Sequence, residues 1–344
     1  MQVTRRMDRE NGDTPFSALT PRGRVRRLRA VALLALQQYD LDVAGLSVLT
    51  AHWNTVFRVD ISDGHRYVLR ISRLGHRTFA DLRSEIWWLQ ALCRDTDLAV
   101  PRPIPARDGS TILIIEGPGV PEARHCVLFG WVEGRHVGTR LPASTMRGIG
   151  TALALLHEHA DSFVPPVGFT RSRMDTVWGF GTPGPIYSDV PDDILTRERR
   201  ALVRKAADEV QKTIDVLHSD PAPIRFLHAD LNTRNIKTRG GRVLVLDFDN
   251  SCWGHPIQDL GIALYHLNVQ HPQHRAEAQD LLEAGYRDVR TWPEEWSDMI
   301  DHAVDACLLG LLSEYFQSWD PGNRARVQEV MEFVESMLGS RYAH

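Results

Sequence analysis

The sequence predicts an α+β protein of two lobes, with an antiparallel sheet in the N-terminal lobe and a mainly helical C-terminal lobe. A chain of 344 residues is long enough to bury the cores of two lobes. Apolar and polar side chains alternate through residues 46–72, around a turn at Asp63 and Gly64, which indicates an antiparallel meander. In the second half of the chain, long stretches instead place apolar residues at helical spacing.

The composition is ordinary for a folded, soluble protein, with 43% hydrophobic and 24% charged residues. A net charge of -4 and a pI near 6.4 create no positive field for nucleic acid. No stretch approaches the roughly 20 apolar residues of a membrane span. The cysteines show no CxxC spacing that would indicate a zinc site; they are Cys93, Cys126, Cys252 and Cys307. We expect a cytoplasmic protein without nucleic-acid or membrane partners.

The N-terminal lobe is placed at residues 22–132. Residues 1–21 are polar and interrupted by glycine and proline, so they are predicted to form a mobile tail. The predicted elements of the lobe are helices at 22–39 and 78–94, and strands within 46–72, at 112–115 and at 126–132.

The C-terminal lobe is placed at residues 133–344. Its predicted helices carry one-sided apolar stripes and lie at residues 142–159, 198–218, 276–286, 294–318 and 323–342. Residues 162–192 are rich in proline, glycine and aromatic residues without periodicity, which predicts a loop bordering the functional site. His157 and His159, near the end of the first helix, are interpreted as capping or surface residues.

Residues 226–250 carry the most informative pattern, because polar residues stand there at fixed places between short apolar runs. These polar residues are His228, Asp230, Asn235, Asp247 and Asp249. The pair Gly240 and Gly241 separates two short runs and predicts a tight β-hairpin. Such a hairpin would hold Asn235 and Asp247 at the same end of two paired strands, within reach of one metal ion.

Phosphoryl transfer from ATP needs a carboxylate for the hydroxyl proton, oxygen ligands for Mg²⁺ and positive charge on the phosphates, and this stretch supplies the first two. An aspartate five residues before an asparagine, then an aspartate after a hairpin, is the order of base and metal ligands in protein kinases. The stretch HADLNTRN at 228–235, with LDFD at 246–249, resembles the aminoglycoside phosphotransferase and choline kinase-like superfamily. That superfamily shares the protein kinase fold.

The resemblance implies a protein-kinase-like two-lobe fold with a small N-terminal, nucleotide-binding lobe, and a reaction that uses ATP and Mg²⁺. Asp230 would accept the hydroxyl proton, and His228 would brace the loop by hydrogen bonds. Asn235 and Asp247 would hold Mg²⁺ through oxygen. Asp249, on the same face of an extended strand as Asp247, could bind a second Mg²⁺, attract a cationic substrate or accept a loop N–H.

In the N-terminal lobe, the resemblance assigns phosphate binding to Arg70, where the family usually has lysine, with Glu85 as its ion-pair partner. Arginine can bind phosphate as a bidentate fork, but it is bulkier and more weakly hydrated than lysine. The loop at Asn54 and Thr55 would cover the phosphates, although it contains no glycine.

The sequence WVEG at 131–134 resembles the family's hinge between lobes. Backbone groups around Phe129 and Trp131 would therefore face the adenine. Asp259 precedes an apolar run and is interpreted as a helix N-cap.

We therefore predict transfer of the γ-phosphoryl group of ATP to a hydroxyl of a small molecule, such as an amino sugar, an amino alcohol or a homoserine-like compound. Two alternatives remain open. One is a Ser/Thr protein kinase of the same superfamily, and the other is a catalytically silent pseudokinase, which the unusual Arg70 and the glycine-free loop would support. The acceptor, the choice between ATP and GTP, and the oligomeric state are not determined by the sequence.

Overall fold

An antiparallel sheet lies at the centre of the N-terminal part of the chain. The computed structural model describes residues 14–138, 141–178 and 190–342. The chain separates into an N-terminal unit, Met1–Val132 with Pro165–Thr170, and a C-terminal unit, Glu133–Val164 with Arg171–His344.

Within the described residues of the N-terminal unit, six strands form one sheet in the order β1-β2-β3-β6-β4, and β5 also pairs with β6. The strands are β1 (Val43–Ala51), β2 (Thr55–Ile61), β3 (Arg66–Ile71), β4 (Pro103–Ile104), β5 (Leu113–Ile115) and β6 (Arg124–Gly130). All of these pairs are antiparallel, which confirms the predicted meander. The alternating side chains of β2 explain the pattern, because one face packs into the core.

Helix α1 (Pro21–Leu36) covers one face of this sheet. It begins with proline at its first position, and the Thr20 hydroxyl accepts a hydrogen bond from the N–H of Gly23 at 3.2 Å. Its apolar side chains share one buried cluster with strand residues, including Val31, Leu36, Phe57, Leu69 and Leu128.

The predicted tail over residues 1–21 is described from residue 14 onward. There a 3-10 helix, Phe16–Ala18, precedes α1. Arg27 donates to the carbonyl of Thr14 at 2.6 Å, and Arg24 donates to that of Ser17 at 2.9 Å. Residues 14–20 are therefore held against the first turns of α1.

Helix α2 (Phe79–Asp95) begins with a capping box. The Thr78 hydroxyl accepts from the N–H of Asp81, whose carboxylate accepts from the N–H of Thr78. The apolar face of α2 is buried, and Glu85 is buried with it. The helix thereby directs a carboxylate toward β3.

The C-terminal unit is mainly helical, as predicted. Its helices are α3 (Ala143–Ser162), α4 (Arg197–Ser219), α5 (Pro256–Gln270), α6 (Arg275–Arg287), α7 (Ile300–Gln317) and α8 (Arg324–Tyr342). Residues Glu294–Met299, which the sequence assigned to one helix with α7, form a separate 3-10 turn. The predicted loop at 162–192 contains no helix or regular strand in its described part after Ser162, the last residue of α3, and residues 179–189 lie outside the described residues.

Small sheets lie among these helices. The strands are β7 (Arg135–His136), β8 (Arg225–Leu227), β9 (Ile236–Arg239), β10 (Arg242–Val245) and β11 (Cys252–Gly254). The order β10-β9-β7 forms one sheet, and β11 pairs with β8. Together with the N-terminal sheet, this confirms the predicted α+β fold class.

Helices α3 and α6 approach closely because each has a glycine at the crossing. A Cβ on Gly150 would collide with the backbone of Leu282, and one on Gly285 would collide with the backbone of Arg147. No helix in the described ranges combines the length and apolarity needed to cross a membrane.

Candidate active site

The hairpin β9–β10 brings the predicted metal ligands together. Gly240 and Gly241 both have positive φ, at 57° and 79°, as a tight primed turn requires. Ile236 pairs with Val245, and the N–H of Leu246 donates to the carbonyl of Asn235 at 2.8 Å, extending the ladder by one step. The hairpin predicted from the sequence is confirmed.

Side-chain amides orient the Asp230 carboxylate. Asn232 donates to Oδ1 at 2.8 Å, whereas Asn235 and Asn250 donate to Oδ2 at 3.0 and 3.2 Å. Burial raises the pKa of Asp230 above its ordinary value; the charge of His228 opposes this shift, and that of Asp247 adds to it. The Asp230 carboxylate is therefore held in one orientation and binds a proton more tightly than an ordinary aspartate does.

His228 is buried and joins the loop to the hairpin. Its Nε2 donates to the carbonyl of Leu246 at 3.0 Å, and its Nδ1 accepts the N–H of Asp230 at 3.3 Å. The ring packs edge-on against Phe248, with 4.7 Å between centroids. With both ring nitrogens occupied by backbone groups, His228 has the contacts of a brace.

Two residues of this site have left-handed backbone conformations, Ala229 with φ 61° and Asp247 with φ 57°. For residues with a Cβ, this conformation costs roughly 1–2 kcal/mol. Such strain persists only where the surroundings hold it in place, and it is concentrated at functional sites.

Asp259 holds the strained loop. Its carboxylate, which is fully buried, accepts the backbone N–H groups of His228 at 3.0 Å and Ala229 at 2.9 Å. The prediction that Asp259 caps helix α5 is wrong, because His255 is the N-cap and Asp259 lies in the first turn. Burial acts to raise the pKa of Asp259, but the hydrogen bond and charge of His157 outweigh it, so the pKa lies below the ordinary value.

His157 is also placed differently from the expectation. It is fully buried within the unit, where Nε2 donates to Asp259 at 3.2 Å and Nδ1 accepts the Tyr286 hydroxyl at 2.9 Å. His159 is buried as well and stacks on Phe163. Neither is a capping or surface residue, because α3 turns this end of its apolar face into the core.

Asp249 does not share a face with Asp247. Strand β10 ends at Val245 and the chain then turns through the positive φ of Asp247, so the premise of one extended strand fails. Asp249 is buried, whereas Asp247 is exposed. The buried Arg171 holds this turn by donating to the carbonyls of Asp249 at 2.5 Å and Ser251 at 2.6 Å.

The donor set at the hairpin suits a hard cation. Because Nδ2 of Asn235 is directed at Asp230, its Oδ1 is the atom able to act as a ligand beside the exposed Asp247 carboxylate. Within the described ranges no group of three or more His, Cys, Asp or Glu could hold a metal. An amide oxygen and a carboxylate are donors of the kind that suits Mg²⁺, which commonly keeps waters or phosphate oxygens as further ligands.

In the N-terminal unit, Arg70 and Glu85 form the expected ion pair. Nη1 and Nη2 of Arg70 donate to the two carboxylate oxygens at 2.8 and 2.6 Å, and the side chains are only 7% and 1% exposed. The guanidinium also lies over the ring of Phe129, 5.2 Å from its centroid. Lysine could not make this bidentate contact.

The glycine-free loop is a short hairpin between β1 and β2, closed by the pairing of Ala51 with Thr55. Asn54 ties it down, since its side-chain oxygen accepts the N–H of Arg73 at 3.1 Å. The half-exposed Trp53 stacks on His76 and lies under the guanidinium of Arg73. Side-chain contacts thus hold the tip of the loop.

The predicted adenine-facing segment lies at the end of β6. The N–H of Gly130 donates to the carbonyl of Arg102 at 2.8 Å, and that of Trp131 donates to the carbonyl of Arg66 at 3.3 Å. These N–H groups are engaged inside the unit, so a nucleotide contact there would rely on carbonyl groups.

Several residues of the site were missed by the sequence reasoning. Asn232 and Asn250 lie inside the informative stretch, but only the folded loop directs their amides at Asp230. His266 is remote in sequence, yet its Nε2 lies 3.7 Å from Asp230 Oδ1. The buried Asp259 carried one detectable signal, an acidic residue at the start of an otherwise apolar helix.

The chain is similar to known phosphotransferases. The family described as "Phosphotransferase enzyme family" matches residues 46–296. A solved structure of a microcompartment-associated aminopropanol kinase is 25% identical, with a TM-score of 0.77, and the match covers 91% of this chain and 97% of that one.

Two further solved structures show the same fold. An amicoumacin kinase in complex with AMP-PNP and Ca²⁺ is 17% identical with a TM-score of 0.73, covering 90% of this chain and 93% of that one. A spectinomycin phosphotransferase in complex with ADP and spectinomycin is 12% identical with a TM-score of 0.62, again covering 90% and 93%. No curated protein sequence matches the chain.

Proposed function

The chain belongs to the phosphotransferase enzyme family, and we propose that it transfers the γ-phosphoryl group of ATP to a hydroxyl group of a small amino alcohol. The observation that carries this proposal is the Asp230 carboxylate, oriented by three amides beside the hairpin end at which Asn235 and Asp247 lie.

Asp230 acts as the base. The amides of Asn232, Asn235 and Asn250 fix its plane, and lone pairs remain on a carboxylate that can accept about four hydrogen bonds. In a loose phosphoryl-transfer transition state the hydroxyl proton leaves late, so a well-placed carboxylate suffices as acceptor. His228 and Asp259 keep Asp230 in place through the backbone of the loop.

Asn235 and Asp247 supply the metal ligands. Mg²⁺ held by them would neutralise charge on the phosphate oxygens. Asp249 supports the metal ligands, because its backbone N–H donates to the Asp247 carboxylate at 3.4 Å. We assign Asp249 to positioning Asp247 through this contact.

Arg70 contributes to nucleotide binding in the N-terminal unit. Its ion pair with Glu85 has the helix-to-strand placement that kinases use to position phosphates, with arginine in the place of lysine. Asn54 and Thr55 would contribute through the loop that they stabilise, and Phe129 and Trp131 would border the base.

The acceptor class rests on similarity. Among the related solved structures, the aminopropanol kinase combines 25% identity with nearly full coverage of both chains. Amino alcohols are therefore tested first, followed by amino sugars and homoserine.

The test measures ADP formation with Mg²⁺ and ATP across this panel, together with generic protein substrates. We expect turnover on a small amino alcohol, and a 10²- to 10⁴-fold lower kcat in D230N, roughly the range of general base catalysis. D280N, a change at an exposed aspartate of α6, is the matched control. Turnover on peptides alone would support the protein kinase reading, and Mg²⁺-dependent ATP binding without any turnover would support a silent binder.

A further inference from the structure

His266 lies beside the proposed base without touching it. The residue is on helix α5, and its Nε2 is 3.7 Å from Oδ1 of Asp230. This separation is too long for a direct hydrogen bond. Both side chains retain some solvent exposure, 19% for His266 and 26% for Asp230. An oxygen atom about 2.8 Å from each group would complete two hydrogen bonds at once.

The tautomer of His266 is set by the residues around Nδ1, the ring nitrogen that does not face Asp230. The Thr233 hydroxyl donates to Oε1 of Gln270, which turns the Gln270 amide so that Nε2 donates to Nδ1 of His266 at 3.4 Å. Since Nδ1 accepts, the ring proton is on Nε2. The imidazole therefore presents an N–H toward Asp230.

The ring is also neutral at physiological pH. Burial lowers the pKa of His266 to about 4, and the charge of Arg234 contributes. A neutral donor beside a carboxylate is suited to a hydroxyl group, which both accepts and donates, and is poorly suited to an ammonium group, which only donates.

We propose that His266 and Asp230 together bind the acceptor hydroxyl, with Nε2–H of His266 donating to the hydroxyl oxygen and Oδ1 of Asp230 accepting its proton. This inference rests on the proposed function and extends it, because it names the atoms that hold the reacting oxygen. During transfer, that oxygen forms the new bond to the γ-phosphorus, its proton passes to Asp230, and the bond from the γ-phosphorus to the bridging oxygen breaks to release ADP. His266 keeps its proton throughout.

The pair also sets a requirement for the substrate. An amino alcohol must enter with its hydroxyl toward helix α5, and its ammonium group must lie away from His266.

The experiment compares H266F, which removes the donor, with H266Q, whose side-chain amide is again a neutral donor. Two acceptors are used, 1-amino-2-propanol and water, the latter through slow Mg²⁺-dependent ATP hydrolysis. We expect H266F to lose about tenfold, the effect of one hydrogen bond, both in kcat/KM for 1-amino-2-propanol and in the rate of ATP hydrolysis, with the KM for ATP unchanged. H266Q should recover most of this loss.

A second measurement is independent of turnover. With [15N]histidine labelling, the ring nitrogens of His266 should report the Nε2–H tautomer, and T233V should disturb it. An Nδ1–H tautomer, unchanged rates in H266F, or equal losses in H266F and H266Q at equal Tm would each overturn the inference. A wild-type chain inactive toward both acceptors would overturn the proposed function, and this inference with it.

Discussion

Glu85 in the N-terminal unit and Asp259 in the C-terminal unit are both buried carboxylates, but they are stabilised in different ways. Glu85 faces a cation, since both of its oxygens bind the Arg70 guanidinium. Asp259 instead accepts hydrogen bonds from the backbone N–H groups of His228 and Ala229 and from the ring of His157. An ion pair joins two elements, here β3 and α2, and its partners can be replaced together. A carboxylate that accepts backbone N–H groups fixes the conformation of a loop. Its backbone partners cannot be replaced by mutation, so no second substitution can compensate for its loss.

The largest effect is expected for D259N. The new amide NH₂ would face at least one of the N–H groups that now donate to the carboxylate, leaving buried donors unsatisfied beside a strained backbone. We expect a loss of roughly 4 kcal/mol in the free energy of unfolding of the C-terminal unit, the cost of breaking a buried charged contact. Hydrogen exchange of residues 226–232 should accelerate before that of the N-terminal unit.

The exposed-site variant D280N should leave both the stability and the exchange of residues 226–232 unchanged within about 0.5 kcal/mol. Protection of residues 226–232 that is equal in D259N and wild type would show that the loop is held by other contacts.

A somewhat smaller effect is expected for E85Q, which leaves the Arg70 cation buried without its counter-charge. We expect a loss of roughly 3 kcal/mol, read by urea unfolding and by exchange confined to the N-terminal unit. The double variant R70M/E85L removes both charges and should be more stable than E85Q, because a buried ion pair can be replaced by apolar groups at little cost. If the double variant is less stable than E85Q, the ion pair stabilises the fold by more than the neutralisation of its two charges.

The smallest of these effects is a pH dependence in the C-terminal unit. His255 caps α5, where its Nδ1 accepts the N–H of Ile257. Burial, with the charges of His218, His157 and Arg225, lowers the pKa of His255 from 6.5 to about 4. The unfolded chain therefore binds this proton at higher pH than the folded chain, so stability falls as the pH drops from 6.5 toward 4.

From these two pKa values, His255 should remove about 2 kcal/mol of stability at pH 5 relative to neutral pH. H255N keeps a capping oxygen but cannot be protonated, so its unfolding midpoint should fall less between pH 7 and pH 5. Identical pH profiles for H255N and wild type would rule out this contribution.

Local patterns in the sequence determined much of this protein. The alternation in residues 46–72 predicted the meander, and the two glycines predicted the turn of the β9–β10 hairpin. The strand and the helix that carry Arg70 and Glu85 also follow from periodicity, whereas their ion pair is what the resemblance to the phosphotransferase superfamily implies. These features depend on residues close in sequence or on regular elements, whose geometry follows from side-chain periodicity and turn chemistry.

Only the tertiary structure decided how the loop at Asp230 is supported. The sequence predicts a helix cap at Asp259 and a capping or surface residue at His157, because a sequence shows that an aspartate begins a helix but not which backbone groups it meets. An extended strand would put Asp249 on the same face as Asp247, but the positive φ of Asp247 breaks that strand. His266 reaches Asp230 across 36 positions of the chain. Contacts of this kind arise from packing between distant elements, and no local pattern encodes them.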